Sequence, residues 1–258
     1  LLLRNDLYQA HHHLAKALHA KGKLSMAIES YRQVLALNPK HSDASLNMGD
    51  ALRDEGKIDE ALAAYRQAIV LKPDNAEAHN AEGNLFYARG KLDDALCSYN
   101  QAIALKPDYA EAYNNKANAL KGQGKLFLAL NEYHKAIQLV PTSDALHYNL
   151  GCSLDGVSFN KASPEMSEHI LNILEKKNLV GPRSIVMAAI SLIKLDPIVM
   201  DLMEKSSKKT ISNDLNKNLI SLSGRAILLR LMRIIPIPDI QIEELLRNIR
   251  SEVLNNIN

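Results

Sequence analysis

A period of 34 residues constrains this chain more than any other feature. Steps of 34 join Gly22, Gly56, Gly90 and Gly124; Ala27, Ala61, Ala95 and Ala129; Tyr31, Tyr65, Tyr99 and Tyr133; and Pro39, Pro73, Pro107 and Pro141. Four registers in phase imply four stacked copies of one supersecondary unit, each burying a face of its neighbour. Within the copy that begins Gly90-Lys91-Leu92-Asp93-Asp94-Ala95, apolar residues recur at helical spacing through Leu92, Leu96, Tyr99 and Ile103. Glycine supplies the left-handed residue that stops a first helix, and the Lys after it can face that helix's last carbonyls. Proline has no amide hydrogen and restricts its predecessor, so it ends the second helix. The alanines mark the closest approach of the paired helices, where a larger side chain would force them apart. Asp6 with Gln9, Asp74 with Glu77 and Asp108 with Glu111 have the capping-box spacing that restarts a helix.

The period, the helix-turn-helix texture and these Gly, Ala, Tyr and Pro positions resemble the tetratricopeptide (TPR) repeat family. The resemblance implies an all-α fold, a right-handed superhelical solenoid followed by a C-terminal helical region. With each proline at the thirty-second position, the repeats span 8–41, 42–75, 76–109 and 110–143. A partial fifth copy at 144–157 completes an array over residues 1–157. There the frame breaks, since Ser163 stands at the twentieth position, where the next alanine would fall, and the Gly-Lys signature is missing. All nine tyrosines lie at or before Tyr148, and the chain then turns rich in Leu, Ile, Asn and Lys. Residues 158–258 therefore read as a separate α-helical domain, with helices expected at about 164–177, 183–194, 197–206, 213–234 and 239–255.

TPR first helices line a concave groove that takes extended peptides or partner helices, through the second, fifth, sixth, ninth and twelfth positions of each repeat. By that resemblance the groove residues are Asn47, Asp50 and Arg53; Asn80, Asn84 and Tyr87; Asn114, Asn115, Asn118 and Lys121; then Tyr148 and Asn149. An amide offers donors and an acceptor together, so a row of amides can pair with a peptide backbone whatever its sequence. Ala110-Glu111-Ala112-Tyr113-Asn114-Asn115-Lys116-Ala117-Asn118 looks like repeats of the nucleocytoplasmic O-linked N-acetylglucosamine transferase, whose groove carries an asparagine ladder. The matching sixth-position asparagines are Asn47, Asn115 and Asn149, interrupted by His13 and Ala81. The plainer alternative is that these asparagines bond neighbouring repeats or water. The family's carboxylate clamp is rejected, because Asp43, Glu77 and Glu111 stand at second positions and would repel a carboxylate.

Several function classes find no support. A net charge of +2 is too mild for a nucleic-acid face, and no run approaches a membrane span. Cys97 and Cys152 lack metal-ligand spacing and suit a reducing, cytoplasmic compartment. His11, His12 and His13 point about 100° apart on a helix and cannot converge on one metal ion. No cofactor is implied. Phosphate-loop, Gly-x-Ser-x-Gly and His-Glu-x-x-His motifs are missing, so no catalytic residue is assigned. The Gly224–Arg233 stretch reads as a buried aliphatic stripe rather than a membrane-surface helix.

Leu174–Val180, Leu195-Asp196-Pro197 and Ile237–Arg250 are similar to the helical connector between a TPR array and an S-adenosylmethionine-dependent methyltransferase domain in bacterial multidomain proteins. The leading expectation is a non-catalytic scaffold that binds a peptide or protein. The second is a substrate-recruiting arm of a larger methyltransferase or glycosyltransferase, which a first residue Leu1 rather than Met leaves open. Self-association through the repeat ends is a third.

Overall fold

The computed structural model describes residues 2–155, with side chains from Leu7 onward, together with Val157, Ile170, residues 188–191, Lys194 and Met200. The chain divides into two compact units, Leu1–Pro141 and Thr142–Asn258. The first unit holds α1 (Leu2–Ala20), α2 (Leu24–Leu37), α3 (Ser42–Asp54), α4 (Ile58–Leu71), α5 (Ala76–Ala88), α6 (Leu92–Leu105), α7 (Ala110–Gly122) and α8 (Leu126–Leu139). The second unit opens with α9 (Asp144–Ser153). Among the described residues there is no strand. Of the helices expected beyond residue 160, Ile170, residues 188–191, Lys194 and Met200 are helical; the rest of those ranges, including the Gly224–Arg233 stretch and the methyltransferase-connector segments, lies outside the described residues.

Each repeat of the first unit is an antiparallel helix pair, α1 with α2, α3 with α4, α5 with α6 and α7 with α8, and each second helix packs on the next first helix. The turns follow from glycine. Gly22, Gly56, Gly90 and Gly124 have φ between +70° and +84°, a region costly for residues with a Cβ. The amides of Lys23, Lys57, Lys91 and Lys125 then reach back to the carbonyls of Leu18, Leu52, Phe86 and Leu120 at 2.8–2.9 Å. The lysine backbone thus closes the helix end, in the glycine-dependent Schellman pattern. Second helices stop at Leu37, Leu71, Leu105 and Leu139, two residues before each proline.

The restart of first helices differs from the capping-box expectation. Asn75, not Asp74, caps α5, accepting from the amides of Glu77 and Ala78 at 3.1 Å. His41 caps α3, with Nδ1 accepting from the Ala44 amide at 3.0 Å, and Tyr109 stands at the start of α7 with no side-chain cap. The cap moves one residue along because the Asn75 carbonyl oxygen there meets two otherwise orphaned N–H groups.

Ala27, Ala61, Ala95 and Ala129 are fully buried, and Tyr31, Tyr65, Tyr99 and Tyr133 are at most 1% exposed. The tyrosine rings need room that small residues provide. A Cβ added to Gly49 would lie 2.5 Å from Tyr65 Cδ1, and one on Gly83 would lie 2.6 Å from Tyr99 Cε1. Burying each ring contributes roughly 1.5–3 kcal/mol, available only while those glycines stay bare. Neighbouring repeats are also tied at one recurring position: Glu55, Arg89 and Gln123, each just before its turn glycine, bond Ser25, Asp59 and Asp93 in the preceding second helix.

In the second unit, Ser143 caps α9 by accepting from the Leu146 amide at 3.4 Å. His147 is 2% exposed, and its Nδ1 donates to the Ser143 carbonyl at 2.9 Å.

Candidate functional site

The first helices present the residues singled out by the repeat frame, and the buried tyrosines hold them in place. Tyr65 donates its hydroxyl to Asp50 Oδ1 at 2.8 Å, Tyr99 to Asn84 Oδ1 at 2.8 Å and Tyr133 to Asn118 Oδ1 at 2.5 Å. All three bonds span fifteen residues, from a second helix back to its own first helix. Burial, reinforced by Asp50, raises the Tyr65 hydroxyl far above its ordinary range, and burial does the same to Tyr99. Both therefore stay protonated donors. Burial also raises the Asp50 carboxyl, against the opposing pull of the Tyr65 bond and of Arg53, whose guanidinium lies 3.4 Å away. Arg53 also pairs with Asp54 at 3.0 Å.

The asparagines of repeats three and four form one connected network. Asn115 donates to Asn80 Oδ1 and to Asn84 Oδ1, each at 3.1 Å. Asn80 donates to Glu111 at 3.2 Å and approaches the Tyr109 hydroxyl at 3.4 Å. Asn114 donates to Asn115 Oδ1 at 3.4 Å. Asn80 is only 3% exposed and uses both ends of its amide. It binds repeat to repeat, whereas Asn84, Asn114, Asn115 and Asn118 remain half-buried at the surface. Because Tyr99 and Asn115 converge on Asn84 Oδ1, the Asn84 NH2 is left without a partner among the described residues. The Tyr133 bond leaves the Asn118 NH2 in the same state.

Toward the other end of the array the amide ladder meets aromatic rings instead. Asn47 Nδ2 lies 3.1 Å from His12 Nε2, an arrangement in which the amide donates to a neutral ring. His12 stacks edge-on against His41 at 4.8 Å and lies 6.0 Å from Tyr31. Burial, then the neighbouring His41 and Lys16, lowers the His12 pKa. An open cleft of about 560 Å³ runs past His12, Lys16, Asp43, Asn47, Asn75 and Glu77. Lys16, Lys72 and Lys106 balance Asp43, Asp74 and Glu77 around it, so it carries little net charge.

Of the remaining expected groove residues, Tyr87 is 42% exposed, one helical turn beyond Asn84. Lys121 is exposed near the end of α7. Asn149 and Tyr148 lie on α9 in the second unit, half-buried and 49% exposed respectively. The frame missed His12, which occupies the fifth position of repeat one, and missed the tyrosine hydroxyls, whose constant fifteen-residue offset from Asp50, Asn84 and Asn118 was visible in the sequence. Among the described residues no group of three or more His, Cys, Asp or Glu side chains could hold a metal ion. Nor is any described helix long and apolar enough to cross a membrane.

Comparison with known proteins agrees with this architecture. Residues 15–52, 49–81 and 83–124 match the family model described as TPR repeat. No curated protein matches the sequence. Among solved structures, the chain is similar to MamA at 24% identity and a TM-score of 0.55, over 63% of this chain and 94% of that one. It is similar to a thermophilic TPR protein of Thermus thermophilus at 25% identity and a TM-score of 0.51, over 57% and 81%. It is similar to PilF of Pseudomonas aeruginosa at 14% identity and a TM-score of 0.57, over 95% and 98%. The repeat frame, the helix pairs and the family match agree: residues 15–124 carry tetratricopeptide repeats stacked in an all-α array.

Proposed function

We propose that the first helices of repeats three and four bind an extended segment of a partner protein by its backbone. The observation that carries this reading is the pair of outward amides. Tyr99 and Tyr133 occupy the carbonyl ends of Asn84 and Asn118, leaving two NH2 donors one repeat apart. A backbone carbonyl accepts from such a donor whatever its side chain, and each bond contributes about 0.5–1.5 kcal/mol net. Tyr87 offers an aromatic face beside Asn84 for a side chain of the bound segment. Asn80 and Asn115 set the geometry, and Asp43, Glu77 and Glu111 disfavour a ligand held by a terminal carboxylate.

The test is a peptide array of diverse fifteen-residue sequences probed with the 258-residue chain and with Asn84→Ala/Asn118→Ala. The expected result is a set of peptides bound by the wild type and lost in the double variant. An unchanged binding profile, or no binding to any peptide, overturns the reading.

A further inference from the structure

The junction of repeats one and two relies on two acceptors that its counterparts do not use. Asn47 Nδ2 donates to His12 Nε2 at 3.1 Å, from α3 back to α1. Two repeats on, the bond in the same register runs from Asn115 Nδ2 to Asn80 Oδ1, also at 3.1 Å. His41 Nδ1 accepts from the Ala44 amide at the start of α3, 3.0 Å away. One repeat on, Asn75 Oδ1 accepts from the Ala78 amide at the start of α5, 3.1 Å away. At both places an imidazole nitrogen stands where the later repeat uses an amide oxygen. The oxygen accepts at any physiological pH, whereas the nitrogen accepts only until it takes a proton. The two rings also meet, edge-on with centroids 4.8 Å apart, and both are half-buried.

We propose that His12 and His41 form a proton-operated latch: neutral rings fasten α1 to the start of α3, and acid loosens that junction while repeats three and four stay closed. A proton on His41 Nδ1 sets a donor against the Ala44 N–H and brings positive charge to a helix N-terminus, where the helix dipole opposes it. A proton on His12 Nε2 sets a donor against the Asn47 NH2. Asn47 can answer by turning its amide over, but the Ala44 amide cannot turn, so His41 is the stricter half. Around the pair stand Tyr8, His13 and Lys16 of α1, Tyr31 of α2 and Asp43 of α3. Burial, then His41, Lys16 and His13, opposes a proton on His12, and Asp43 favours it. Across the adjoining cleft Lys72 and Lys106 balance Asp74 and Glu77. Farther along α1, His19 lies 2.8 Å from Asp54 and gains from a proton, so that end of α1 stays attached to α3. The latch involves neither Asn84 nor Asn118, so it does not depend on the peptide-binding reading.

The test is nuclear magnetic resonance of the 258-residue chain from about pH 7.5 to about pH 5.5, a window that spans histidine titration. At the upper end the two rings must be opposite tautomers, His12 carrying its proton on Nδ1 and His41 on Nε2, as read from the imidazole nitrogen shifts. This measurement needs no variant. On acidification the Ala44 amide should lose about tenfold in hydrogen-exchange protection, after correction for the intrinsic effect of pH, while its counterpart Ala78 holds. His41→Asn copies Asn75 and should abolish that loss. His12→Asn copies Asn80 and should abolish the acid shift of the Asn47 side-chain amide. His13→Asn, at an exposed ring of the same helix, should respond as the wild type does. The other tautomer in either ring, a loss of protection shared equally by Ala44 and Ala78, or an acid response that survives in His12→Asn/His41→Asn overturns the proposal.

Discussion

Tyr99 donates its hydroxyl to Asn84 Oδ1 at 2.8 Å, so a side chain that is 1% exposed orients a half-buried one on the first helix of its repeat. The same bond recurs from Tyr65 to Asp50 and from Tyr133 to Asn118. Core spacing and surface chemistry are therefore linked through single residues.

Tyr99→Phe keeps the ring and deletes the donor, leaving Asn84 with one bond fewer at its oxygen. The expected loss is about 0.5–1.5 kcal/mol, read as a lower urea midpoint. Tyr31→Phe is the internal comparison. The Tyr31 hydroxyl makes no hydrogen bond among the described residues, so its removal should cost less.

Two Gly→Ala substitutions should fail for different reasons. At Gly83 a Cβ would sit 2.6 Å from Tyr99 Cε1, and overpacking of about 1–3 kcal/mol outweighs the roughly 1 kcal/mol gained in helix propensity. At Gly90 nothing lies within 4 Å, but φ is +71°, which costs about 1–2 kcal/mol for alanine. Gly90→Asn should recover part of that loss, because asparagine tolerates the left-handed region, whereas Gly83→Asn should be worse than Gly83→Ala. Thermal unfolding of the four variants separates the two causes. Ala95→Leu, at a fully buried contact, belongs with Gly83 and should cost about 1–3 kcal/mol.

Asn115→Ala removes the two bonds that Asn115 makes to repeat three and leaves Asn80 Oδ1 short of its donor in a 3% exposed site. The expected cost is about 1–3 kcal/mol. Since stability in a repeat array includes nearest-neighbour terms, the urea transition should broaden as well as shift.

Acidification should weaken the junction of repeats one and two. Burial, with His41 and Lys16, lowers the folded-state pKa of His12 below its ordinary value near 6.5. The unfolded chain thus binds more protons in this window. His12 contributes stability that is present above about pH 6.5 and lost as pH falls through the folded-state pKa. Urea midpoints from about pH 7.5 to about pH 5.5 should fall more steeply in the wild type than in His12→Gln. Equal slopes would show that His12 titrates as freely in the folded chain as in the unfolded one.

The helix boundaries of the first unit were legible because glycine, proline and alanine act locally. A positive φ, a missing N–H and a small Cβ constrain the chain wherever they stand, and a 34-residue recurrence makes their phase visible. Caps were less legible: Asp74 has the spacing, but Asn75 has the geometry, a one-residue difference that depends on how the chain leaves the preceding proline. The candidate groove was legible as a set of first-helix positions and not as a set of hydrogen-bonding roles. Asn80 and Asn84 read alike in the frame, yet one is 3% exposed with both amide ends used while the other keeps a free NH2.

By itself the sequence determined the repeat: where each first unit helix stops, which tyrosines and alanines face inward, and which first-helix residues share a face. Those follow from periodicity and from backbone restrictions carried by individual residues. The tertiary structure decided how the shared hydrogen-bonding capacity is spent. Whether Asn115 turns to Asn80 and Asn84 or toward a ligand, and whether Gly83 is a bare gap or the seat of Tyr99, depends on the distance between stacked helices. That distance is set by the packing of whole repeats.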